Sequence, residues 1–186
     1  MKKWILLMVV GLLMMPSLIQ ADSYTGLWKR FAELQRKDLP KSEMEVLDQI
    51  AQKATVEKRY GHLLKAELQK ACLNTNISPD SLETEVGRLL EKEERAQAGD
   101  LALAAVYDCA LGKIYEMNPL AESSSVLMKQ YYKKAMAHPD ILAKHSAEEY
   151  EPLLIKGGDS KIFYDDLLHV IGFETNDYQT LHDYYL

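Results

Sequence analysis

The chain has only two cysteines, Cys72 and Cys109, so no disulfide framework of the kind that staples small core-poor domains is available to it. It has no run of alternating apolar and polar residues long enough for a half-buried strand, which excludes sandwiches and barrels. Positive charge is not in excess: the formal net charge is −6, which argues against general nucleic-acid binding. Its one long apolar run, Trp4 to Met15, is twelve residues, short of the ~20 that a membrane-spanning helix needs. HExxH, GxSxG and phosphate-loop patterns are all missing, so no reaction is announced.

The apolar run has the form of a secretory leader. Lys2 and Lys3 precede it, and Ile19-Gln20-Ala21 offers a small-residue cleavage site before the polar start at Asp22. Residues 1–21 are therefore expected to be a signal peptide, and residues 22–186 a single domain exported to the periplasm or the cell surface. No cysteine follows the leader where a lipid would be attached. The remaining length is enough for a core that needs no staple. Cys72 and Cys109 both sit in apolar helical patterns, leaving two readings open. They are buried thiols, or they form a bridge whose loop closure would be worth on the order of 4 kcal/mol.

What is present is helical periodicity. Leu27, Phe31 and Leu34 share one face of a helix expected over Tyr24 to Arg36, and Leu39-Pro40 ends it and opens the next. Met44, Leu47, Ala51 and Ala54 continue the pattern. A third helix carries Tyr60, Leu64, Leu68 and Ala71, and a break is expected at Asn74 to Asn76. Ser78-Pro79 then reads as an N-cap followed by a first-turn proline, with Leu82, Val86, Leu89 and Leu90 as the stripe and EKEERAQ as a solvated exit.

Asp100 is placed to cap LALAAVYDCALGKIYEM, whose apolar residues run round most of its circumference, as suits a central helix touching neighbours on two sides. Further helices are expected over Ser125 to His138 with Leu127, Tyr131 and Ala135 aligned, in KGGDSKIFYDDLLHVIG after a cap at Asp159 or Ser160, and in NDYQTLHDYYL. The fold class is all-α, built from short antiparallel helical hairpins. Two architectures stay open, a degenerate tetratricopeptide-like solenoid and an irregular bundle. Trp28 and His62 suggest a 34-residue register, and Gly112 resembles the glycine that lets a partner helix approach in a tetratricopeptide unit.

The search for chemistry yields weak constellations. Asp165, Asp166 and His169 are spaced to bring two carboxylates and an imidazole together, the one arrangement that would suit a small metal-dependent hydrolase. The competing reading is the polar side of an amphipathic helix whose apolar side is Phe163, Leu167 and Val170. His145 and Glu149 read as a surface pair. Ser123 to Ser125 occupy a turn, and Gly157-Gly158-Asp159-Ser160 reads as a helix cap. No residue is assigned as catalytic, cofactor-binding or metal-ligating, and no cofactor is called for. Tyr131, Tyr132, Tyr150, Tyr164, Tyr178, Tyr184 and Tyr185 concentrate tyrosine in the second half, serving helix packing or an interface.

The stretch LWKRFAELQRKDLPKSEMEVLDQIAQKA, with KGGDSKIFYDDLLHVIGFE and YQTLHDYYL later, resembles the region after the signal peptide in the large Bacteroides-type bacterial alpha-2-macroglobulin-like proteins. That resemblance implies the N-terminal part of a much larger exported protein, whose family traps proteases with a bait region and often a CxEQ-type thioester. Cys72 stands in ACLN and Cys109 in DCAL, so neither carries that motif. The expected role is thus a non-catalytic interaction or scaffolding module, whose partner is the following domains of the same polypeptide or another protein. A free-standing tetratricopeptide-like peptide-binding adaptor is the alternative.

Overall fold

The computed structural model describes residues 23–77, 79–118, 123–147 and 166–186. The expected leader, the Ser78 cap, the glycine pair at 157–158 and residues Glu149, Tyr150, Phe163, Tyr164 and Asp165 lie outside them. Among the described residues the fold is all-α, and no helix is long and apolar enough to cross a membrane. An isolated antiparallel bridge between Ser146 and Asp166 is the one β-type pairing in this set.

Helix α1 (Tyr24–Arg36) begins at Ser23, whose hydroxyl accepts the Gly26 amide at 3.1 Å. It buries Leu27 and Phe31. Asp38 then adopts φ 53°, and Pro40 opens α2 (Pro40–Glu57) at a position where its missing amide costs nothing. Val46, Leu47, Ile50, Ala51 and Ala54 face the core, and Lys58, again left-handed, reverses the chain. These two turns leave α1, α2 and α3 (Tyr60–Ile77) joined by very short links.

The break expected at Asn74 to Asn76 does not occur, since α3 continues to Ile77. Asn74 is buried, and tertiary packing outweighs its modest helix propensity. Trp28 and His62, the residues aligned by the 34-residue register, touch: the indole N–H donates to His62 Nδ1 at 3.1 Å. The Tyr24 ring stacks on the same imidazole with centroids 3.8 Å apart. Trp28 therefore ties α1 to α3.

Pro79 begins α4 (Pro79–Gln97) as expected, but EKEERAQ is not a purely solvated exit. Glu93 and Ala96 are buried, because Gln97 and Lys134 both reach the Glu93 carboxylate. Helix α5 (Leu101–Met117) is capped by Asp100, which accepts the Leu103 amide at 3.0 Å, and buries eleven of its 17 residues. It packs against α3, α4 and α6 (Ser124–Ala135), the central role its composition implies. A short α7 (Pro139–Leu142) leads toward α8 (Leu167–Glu174) and α9 (Tyr178–Tyr185).

The inward face of α6 is carried by Tyr132 and Ala135, with Tyr131 and Leu127 half-buried. Gly112 explains the difference from the expected alignment: a methyl there would overlap the Tyr132 ring, so glycine lets that ring lie against α5. Tyr132 also donates to Glu116 at 3.0 Å, bridging the same two helices. Gly112→Ala is expected to lose about 1–2 kcal/mol of stability in urea melts, overpacking outweighing the gain in helix propensity. In a Tyr132→Leu background the same change is expected to be neutral or stabilising; an equal loss in both backgrounds would deny the contact.

Candidate functional site

A carboxylate that should be on the surface sits at the centre of the molecule. Glu67 of α3 is fully buried, and three cations converge on it. Arg88 of α4 donates through both terminal nitrogens, Lys92 lies 3.2 Å from one carboxylate oxygen, and Lys70 is 3.9 Å from the other. Burial acts to raise the Glu67 pKa, but Lys70, Arg88 and Lys92 outweigh it and hold the carboxyl below its usual range. Arg88 is also paired with the buried Glu85, and Lys70 with the exposed Asp48. Three helices are thereby joined through charge.

Arg88, Lys92 and Arg95 follow one another at helical spacing along α4, so they share a face. That face forms one wall of a groove of about 650 Å³ between α2, α4 and the start of α5. The opposite wall, from α2, carries no cation: Ala51, Gln52, Thr55 and Val56, with Asp48 at one end. Leu103 and Tyr107 of α5 also line the groove, and the Lys92 ammonium lies 5.5 Å from the centre of the Tyr107 ring. Burial, opposed in part by Glu67, pushes the Lys92 pKa down. Val56 is an apolar side chain left 80% exposed on the rim.

The charged groups of this groove are held in place from within the protein. Arg88 and Lys92 hang from a carboxylate that cannot move, and Asp100 at the far end is held by Tyr60 at 2.7 Å and Lys58 at 3.4 Å. A larger depression of about 1000 Å³ lies between α6 and the α8–α9 turn. Its Lys129 and Lys133 are solvated side chains with no ion-pair partner among the described residues.

The residues singled out by sequence spacing are placed differently. Asp166 is the N-cap of α8, its Oδ1 accepting the His169 amide at 2.9 Å, and the Tyr185 hydroxyl donates to both its oxygens at 2.6 Å. His169 is buried within α8, its ring 5.9 Å from that of Tyr185. Among the described residues no group of three His, Cys, Asp or Glu side chains is placed to hold a metal.

Cys72 and Cys109 are free thiols. Cys72 donates to the Met117 sulfur at 3.6 Å, and burial pushes the Cys109 thiol far above its usual range. In thiol titration of the folded chain Cys109 is expected to react only on unfolding; immediate reaction of both cysteines would contradict its placement.

Of the tyrosines, Tyr132 is buried, Tyr131 and Tyr185 are half-buried, and Tyr178 and Tyr184 are exposed, so packing and surface roles are both represented. Glu67 escaped the sequence reading although it falls between Leu63, Leu64 and Ala71 on the apolar face of α3. A charge inside an apolar stripe was the available signal. No family model, no curated protein and no solved structure matches the chain.

Proposed function

We propose that this chain is a non-catalytic helical protein-binding module, and that the groove between α2, α4 and α5 receives a segment of its partner. The observation that carries the reading is the pair of cations in the groove wall fixed from beneath by the buried Glu67. A side chain tethered in advance loses little freedom when a ligand arrives, which is what a binding surface gains from such an arrangement. Ala51 of the α2 wall and exposed Val56 supply apolar area beside those cations, Asp48 being the one charge that α2 contributes to the groove.

The leader pattern and the resemblance to the front of alpha-2-macroglobulin-like proteins support an exported setting. In that setting the partner is a downstream domain of the same polypeptide, and the module helps to present a protease trap whose chemistry lies elsewhere. Reading the encoding frame past Leu186 tests this setting: β-domain sequence there supports it, and a stop codon favours the free-standing adaptor.

The groove itself is tested with a photocrosslinking residue at Val56 and a control at Val126, which is 54% exposed on α6 away from the groove. In the producing cell, a discrete adduct is expected from position 56 and none from position 126. Equal labelling from both would remove the groove from consideration.

A further inference from the structure

We infer that the segment received by the groove is acidic, an extended peptide that sets carboxylates against Lys92 and Arg95 and an apolar side chain against the α2 wall. This inference rests on the groove being the binding surface, and it adds the chemistry of the occupant.

The groove's charges are separated by depth. Glu67 and Glu85 have side chains only 0% and 7% exposed, whereas the cations they hold are more accessible: Arg88 27%, Lys92 31%. Arg95 continues the row at 74% exposure. Along the α4 wall an approaching chain therefore meets positive charge first, with the balancing carboxylates beneath it; only at the Asp48 end is the order reversed, Asp48 being 60% exposed over a Lys70 that is 3% exposed. Such layering attracts an anion even though the cluster as a whole is close to neutral.

The opposing groups do not reverse this. Asp48, at one end of the groove, is satisfied by the buried Lys70, and Asp100, at the other, by Tyr60 and Lys58. Glu91, the partner of Arg95, is 73% exposed. A pair so exposed is worth little and exchanges readily for a carboxylate delivered by a ligand. Lys92 shares Glu67 with two other cations, so its ammonium has donors to spare. A basic segment would meet the same row as repulsion, which gives the surface its selectivity.

The test uses the full chain and three fluorescent peptides of equal length, with leucine and tyrosine interspersed among glutamate, glutamine or lysine, read by anisotropy at low and high salt. The glutamate peptide is expected to bind roughly tenfold more tightly than the glutamine peptide at low salt, with the advantage lost at high salt. Arg95→Glu, a change on an exposed side chain, is expected to erase that advantage by weakening the glutamate peptide far more than the glutamine peptide. Gln52→Trp, which fills the groove without altering charge, is expected to abolish binding of all three.

Equal binding of the glutamate and glutamine peptides, or tighter binding of the lysine peptide, blocked in either case by Gln52→Trp, would overturn the acidic occupant and leave the groove standing. Binding by none of the peptides, or binding indifferent to Gln52→Trp, would overturn both.

Discussion

Replacing Glu67 with alanine is expected to cost about 3–5 kcal/mol of stability, enough to unfold much of the population of a marginal domain. The loss comes from what is left behind. Lys70, with a side chain only 3% exposed, keeps Asp48 as a partner, and Arg88 keeps Glu85, but Lys92 loses its carboxylate. All three cations then stand round an empty space between α3 and α4. Glu67→Gln is expected to fall between wild type and alanine, since the amide still accepts a hydrogen bond but carries no charge. Urea melts of the two variants provide the measurement. A loss below about 1 kcal/mol for Glu67→Ala would mean that the cations relax into solvent and that the cluster does not hold the helices together.

Asp108 is expected to show the opposite behaviour, because its charge is a liability. It lies in the middle of α5, 1% exposed, and among the described residues neither carboxylate oxygen is placed in hydrogen-bond geometry with a partner. Burial and then the negative charge of Glu93 push its pKa up from 3.8 to about 7, with Lys134 opposing. In the unfolded chain the group ionises near its ordinary value. Below that value both states hold the proton and Asp108 costs nothing. As pH rises from 4 to 7 the unfolded chain releases its proton while the folded chain keeps it, so stability falls, by on the order of 4 kcal/mol before levelling off above pH 7.

Asp108→Asn removes the titration. The variant is expected to match wild type near pH 4 and to exceed it increasingly up to pH 8. The difference between the two stability curves isolates this residue from carboxylates such as Glu67, whose lowered pKa values act in the opposite sense at acid pH. A difference curve that is flat, or that favours wild type at high pH, would show that Asp108 is solvated or paired in solution.

These two residues also mark where sequence reading runs out. Helix α1 was legible to its ends because its apolar stripe and the Leu39-Pro40 stop agree. The start of α5 at Asp100, the existence of a helix within NDYQTLHDYYL and the need for a glycine at Gly112 were legible for the same kind of local reason, whereas the caps at Ser23 and Asp177 were not read. Asp166 was mistaken for part of a helical face because a carboxylate just before an apolar run serves equally as a cap, and only the backbone decides between them.

The groove was not legible at all. Arg88, Lys92 and Arg95 look like an ordinary solvated stripe until α3 brings Glu67 underneath two of them and α2 supplies the facing wall. Spacing within one helix reports its own faces. It does not report which charges another helix will bury.

The tie between Trp28 and His62 has a spectroscopic consequence. An indole nitrogen can only donate, so the bond exists only while His62 Nδ1 carries a lone pair, which fixes the ring as the neutral tautomer with its hydrogen on Nε2. The sequence holds two tryptophans, and Trp4 belongs to the leader pattern. A protein beginning at residue 22 therefore carries one tryptophan, placed at this contact. Its emission is expected to shift in a His62→Ala variant that keeps the helical circular dichroism of the wild type. Emission unchanged by that substitution would deny the contact.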